Sequence, residues 1–231
     1  MRLGHLISWD IKLQAKYGFY LLYGILTVLY IVILFMLPEI IREKVASLLI
    51  FSDPAAMGLF FMGAIILLEK SQSIPCAFVV SPIDETEYII SKVASLCVIA
   101  LIVATILEIS VETSNLPYML LGTMLSSIIF TLLGIIIATK ITSLNQFILW
   151  TVPIEIIGFA PAVLHLFDMS YYDVFYVYPP NVCIDMIAGN TFSPIGLIFT
   201  VLLIYVLFII ARKCVSRMLK SIDQLVKVNS F

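Results

Sequence analysis

Apolar residues dominate the chain in long uninterrupted runs, and the polar residues gather between them. Six runs stand out, at about 17–37, 54–68, 82–107, 117–139, 147–167 and 194–211. A membrane-crossing helix needs roughly 20 mainly apolar residues. Barrel strands instead alternate apolar and polar positions over about ten. The runs do not alternate, so six transmembrane helices are expected. The segments between them are too short for a separate soluble domain. The chain therefore reads as one all-α integral membrane domain over residues 1–231. Residues 1–16 precede a six-helix bundle (17–211), and 212–231 form a tail.

Two polar stretches carry a pattern of their own. The segment "SWDIKLQAKY" alternates for ten residues, which by itself argues for a strand. No second strand candidate exists to pair with it. On a helical wheel Arg2, His5, Lys12 and Lys16 form one stripe and Leu3, Leu6, Ile7, Leu13 and Tyr17 another, with Asp10 and Gln14 intruding on the apolar side. The expectation is an imperfect amphipathic helix on the membrane surface. The second stretch, "EKSQSIPCAFVVSPIDETEYIISK" (69–92), holds a short apolar run, Ile74 to Val80, too brief to cross a bilayer.

Helix starts follow from capping chemistry. Asp53-Pro54, Ser81-Pro82 and Ser193-Pro194 each place a capping side chain before a proline, and Asn115-Leu116-Pro117 is a looser version. In the stretch before the last run, Asn181 after Pro179-Pro180 is expected to cap a short helix that Gly189 ends. Aromatic residues crowd just ahead of it (Tyr171, Tyr172, Phe175, Tyr176, Tyr178), as at a membrane–water interface.

Composition sharpens the class. Of 231 residues, 62% are hydrophobic and 12% charged, against about 45–50% and about 25% in soluble domains. Basic residues set the orientation, because lysine and arginine favour cytoplasmic loops. Eleven lie in the two tails, the 69–92 segment and the 140–146 loop, against Arg42 and Lys44 in the three opposite loops. Both termini are thus expected in the cytoplasm of a multi-pass cell-membrane protein. The first run is too long and lacks the cleavage site of a signal peptide. Cys76, Cys97, Cys183 and Cys214 have the spacing of neither a metal site nor a disulfide framework.

No catalytic motif is present: no H-E-x-x-H, no G-x-S-x-G, and no Gly-Lys step of a phosphate loop. His5 and His165 lie 160 residues apart and read as interfacial packing. Energy-driven work would need an energy source outside this chain.

These features together resemble the permease subunit of ABC-2 type transporters, particularly the small drug and antibiotic exporters. The resemblance covers six spans with both ends inside, a surface helix at the N-terminus, a mixed cytoplasmic stretch between spans two and three, and a short outer helix before span six. Glu69, residues 70–80, Ser81-Pro82, Tyr88 and Lys92 match that family's glutamate at the end of span two, docking (coupling) helix, Ser/Thr-Pro step and lysine in span three. "WDIKLQAKYGFY" looks like the start of fluoroquinolone-exporter-like permeases. The resemblance implies a partner ATPase subunit that carries the ATP and Mg²⁺, with no cofactor in this chain. It also implies a second permease subunit, the same or related, and lipid rather than nucleic acid as the surrounding partner. The docking segment would be Glu69, Lys70, Ser71, Gln72, Ile74, Ala77, Phe78 and Val79, with apolar residues entering a groove on the partner and charges setting register. A loop lying on the membrane is the plain alternative for this segment.

Glu155 falls mid-span in "TVPIEIIGFAPAV". A carboxylate there costs a few kcal/mol and normally faces a protein interior, cavity or partner. With Pro153 and Pro161 flanking it, Glu155 and Pro153 are candidates for a translocation path; a neutral glutamate bonded to a freed carbonyl is the structural alternative. The overall expectation is a permease subunit of an ATP-driven exporter, whose substrate could equally be a drug, a lipid or a peptide. A non-transporting membrane partner and an ATP-independent carrier are its rivals.

Overall fold

The computed structural model describes residues 2–52, 58–80, 83–111, 116–167 and 176–229. The cap steps at Asp53-Pro54 and Ser81-Pro82, and the aromatic residues Tyr171, Tyr172 and Phe175, lie outside them. Every element is helical, with no strand among the described residues. In chain order the helices are α1 (Arg2–Lys16), α2 (Phe19–Met36), α3 (Glu39–Ser52), α4 (Gly58–Ser71) and α5 (Ile74–Val80). They continue as α6 (Glu85–Val111), α7 (Leu116–Lys140), α8 (Leu144–Leu166), α9 (Pro179–Ala188) and α10 (Pro194–Asn229). The alternating N-terminal segment is thus a helix. It turns into α2 at Gly18, whose φ of 78° is a left-handed conformation that glycine adopts without steric cost.

Five described helices are long and apolar enough to cross a membrane: α2, α6, α7, α8 and α10. The sixth expected span departs from its sequence outline. Its described part, α4, has 14 residues, about 21 Å of helix against a hydrocarbon core of roughly 30 Å. Ahead of it, residues 39–52 form α3 where a loop is expected. The cluster Arg42-Glu43-Lys44 hides that helix in a reading of runs, yet its buried residues Ala46, Ser47, Ile50 and Phe51 recur at helical spacing on one face. Arg42 also turns back to donate to the carbonyls of Leu34 and Leu37, both at 3.1 Å, closing the end of α2.

Two further boundaries move. Ser143 accepts from the backbone N–H of Gln146 and starts α8 at Leu144 rather than 147. Beyond Ala211, where a tail is expected, α10 stays helical to Asn229, since neither glycine nor proline interrupts it. Other signals hold: Ser193 Oγ accepts from Gly196 N–H at 3.3 Å at the start of α10, and Gly189 ends α9 with φ 69°. Asn181 lies inside α9 instead of capping it, because both prolines enter the first turn, where a missing N–H costs nothing.

α7 is the central helix and packs against α4, α6, α9 and α10. Close approach depends on small residues: a Cβ at Gly134 would lie 2.8 Å from the carbonyl oxygen of Leu59, and one at Gly122 would lie 2.7 Å from that of Cys183. In lipid, such backbone-to-backbone packing replaces the hydrophobic driving force between helices. α9 is correspondingly enclosed among α3, α7, α8 and α10, with eight of its ten residues buried.

Candidate functional site

α4 ends in Glu69 and Lys70, and these neighbours face different helices. The ammonium of Lys70 donates to the carbonyls of Ala138 (2.7 Å), Thr139 (3.0 Å) and Ile141 (2.9 Å), the free acceptors where α7 finishes. Glu69 turns the other way, into a fully enclosed cluster with α6 and α1. On α6, Tyr88, Ser91, Lys92 and Ser95 share one face at i, i+3, i+4 and i+7. On α1, Asp10 and Gln14 lie one turn apart and meet that face.

Lys92 sits between two carboxylates, pairing with Asp10 at 2.5 Å and also with Glu69. Ser91 Oγ donates to the second oxygen of Asp10 at 2.5 Å, and Tyr88 OH to the second oxygen of Glu69 at 2.8 Å. Gln14 Nε2 donates to Ser95 Oγ at 2.8 Å. Relative exposures of 0% for Glu69, 1% for Lys92 and 2% for Asp10 remove water as a partner. Unpaired, each of these charges would cost several kcal/mol. Three helices distant in sequence are therefore locked at one point.

α5 rests on that lock. Phe78 makes edge contacts with Trp9 (6.3 Å between centroids) and Tyr88 (5.4 Å). The Lys92 ammonium lies 5.7 Å from the Trp9 ring and 5.2 Å from that of Tyr88, within cation–π range. The cytoplasm-expected extension of α10 also packs on α5. Pro75 is the second residue of α5 and so leaves the helix intact. The turn before it is strained, with Ser73 at φ 56°.

The structure thus distributes the predicted docking residues. Glu69, Lys70 and Phe78 are engaged within the chain. Ser71 and Gln72 are exposed in the turn, where Ser71 donates to the carbonyl of Leu68 and Gln72 to the hydroxyl of Tyr17. Ile74 is half-buried, and the side chains of Ala77 and Val79 lie outside the described set. Asp10, Gln14, Ser91 and Ser95 were missed as site residues. Their signal was present as an acid and an amide one turn apart on the apolar side of α1.

Glu155 and Pro153 lie apart from this cluster. α8 is continuous through Pro153 and Pro161. Glu155 is half-exposed on it and makes no hydrogen bond or ion pair among the described residues. The carbonyl that Pro161 frees, that of Ile157, accepts from Tyr178 OH at 2.8 Å. At the same end His165 Nε2 lies 2.9 Å from Asp185 Oδ2 and ties α8 to α9. All four cysteines are free thiols; burial pushes Cys183 up to about 12.

Residues 1–224 match the sequence profile of the Fluoroquinolones export permease protein family. The chain belongs to this family. Among its relatives are the Fluoroquinolones export permease proteins of two Mycobacterium tuberculosis strains, CDC 1551 / Oshkosh and ATCC 25618 / H37Rv. Each is 25% identical over 200 residues, 85% of this chain and 83% of the relative. The likeness seen at residues 9–20 and 69–92 therefore extends along nearly the whole chain. The protein is a membrane permease of an export system.

Proposed function

We infer that this permease is the membrane-spanning subunit of an ATP-driven exporter, powered by separate ATPase subunits that dock at the turn 71–73 and at α5. The observation that carries the reading is the seating of α5 on the Asp10–Lys92–Glu69 cluster. A push on α5 reaches Trp9 of α1 and Tyr88 of α6 through Phe78, and Glu69 of α4 through Tyr88. Beside the turn, a cavity of about 400 Å³ opens between α5, the end of α7 and α10, with Ser73, Lys140 and Ser221 on its walls. A side chain of the ATPase would enter there. α3 and α4 together supply the sixth span, both termini are cytoplasmic, and α1 lies along the inner leaflet. A second permease subunit completes the path. Alternation between inward-open and outward-open states then exports a lipophilic compound, as the relatives' name suggests for fluoroquinolones, by differing affinity in the two states.

The docking experiment targets the exposed turn, because Phe78 faces inward. Ser71→Arg with Gln72→Arg should abolish co-purification of the ATPase while leaving the melting temperature of the isolated permease in detergent unchanged. Normal co-purification would place docking elsewhere.

Orientation is checked separately. Cys183 is a poor reporter, being enclosed and held as a thiol. In a cysteine-less background, Thr191→Cys should react with a membrane-impermeant maleimide in intact cells, and Asn145→Cys should not. Both positions are exposed.

A further inference from the structure

The cavity of about 400 Å³ beside the turn 71–73 carries charge of one sign. Two ammonium groups line it, those of Lys70 and Lys140, and no carboxylate does among the described residues. Lys70 uses its three N–H donors on the carbonyls of Ala138, Thr139 and Ile141. Those acceptors are neutral, so its positive charge meets no anion there. Lys140, the last residue of α7, is exposed and makes no hydrogen bond or ion pair among the described residues.

The hydroxyls on the walls divide in two. Thr139 donates to the carbonyl of Ile136 and Ser221 to that of Met218. Ser73 and Thr142 are exposed, and their hydroxyls make no hydrogen bond among the described residues. Buried Ile141 and Met218 add an apolar surface that suits the methylenes of an entering side chain.

Ser73 belongs both to the turn and to the cavity wall. A protein that docks on the turn therefore covers the cavity and takes water away from Lys140. A cation stripped of water without a counter-charge is costly. An apolar or basic side chain entering here would leave both ammonium groups uncompensated, which disfavours it. A carboxylate would meet Lys140 and the hydroxyls of Ser73 and Thr142, in the field of Lys70.

We propose that this cavity receives an aspartate or glutamate side chain of the ATPase, with Lys140 as its counter-ion. The proposal rests on the docking at the turn 71–73 set out above and names the chemistry of the partner there.

Carbodiimide cross-linking tests it, because the reagent joins an amine to a carboxylate only where the two are in contact. The sample is the full-length permease bound to the ATPase that co-purifies with it. Peptide mass spectrometry should find Lys140 joined through an amide to an aspartate or glutamate of the ATPase. Lys140→Arg keeps the charge but offers no amine, so it should bind normally and lose the link. Lys140→Gln should weaken binding about ten-fold and Lys140→Glu about a hundred-fold. Both should melt with the native permease, since the side chain is exposed and unpaired. A complex that forms without the Lys140 link would overturn the proposal. So would native affinity in Lys140→Glu when Ser71→Arg with Gln72→Arg abolishes binding, a result that leaves docking at the turn intact. Native affinity in the turn variant as well would overturn both.

Discussion

Lys92→Met lowers the stability of the permease by about 3–5 kcal/mol, the cost of leaving a buried ion pair half made. The effect is larger than for either acid, for an electrostatic reason. Lys92 is the cation that both Asp10 and Glu69 meet at contact distance, so its loss strands two carboxylates at once. Glu69→Gln removes one carboxylate and leaves the Lys92–Asp10 pair with its Ser91 hydroxyl. Its amide can still accept from Tyr88. The order of melting temperatures in detergent should be native, then Glu69→Gln, then Lys92→Met well below both. Combining Asp10→Asn, Glu69→Gln and Lys92→Met removes every full charge and should regain most of the loss, since buried ion groups replaced together are often near neutral. A Lys92→Met protein that melts with the native one would mean the cluster does not hold the three helices.

On the proposed docking at the turn 71–73, Phe78→Ala separates docking from transmission. The ring is the described side chain through which α5 touches Trp9 and Tyr88, and each aromatic contact contributes about 0.5–1.5 kcal/mol. The exposed turn remains, so the ATPase should still co-purify. Transport per ATP hydrolysed in vesicles should fall about ten-fold, because a push limited to the free energy of two lost contacts no longer reaches α1 and α6. Phe78→Leu, which refills part of the volume, should recover some of it. If Phe78→Ala transports with native coupling, α5 acts through another contact.

The sequence announced what lipid dictates and concealed what folding brings together. Long apolar runs mark α2, α6, α7, α8 and α10 because each has to satisfy its backbone within the membrane. The run from Ile74 to Val80 coincides with α5. α3 was hidden because three consecutive charged residues, Arg42 to Lys44, break its apolar run without breaking its helix. The cluster was half visible. Glu69, Tyr88 and Lys92 stand within one segment, but Asp10 is 82 residues from Lys92, and pattern alone gives no sign of such a pairing. Asp10 and Gln14 looked like defects in an amphipathic face; they are the residues that attach α1 to α6.

The opposed attachments of Glu69 and Lys70 limit how α4 can move. Consecutive side chains on a helix point about 100° apart. One is fastened to α1 and α6, and the other to the last carbonyls of α7. Spinning α4 about its own axis would tear one fastening or the other, and sliding it lengthwise would tear both. Any movement of α4 is therefore shared with α1, α6 and α7. Of the long apolar helices, α2 and α8 are the least buried, and Glu155 lies on α8, outside both fastenings.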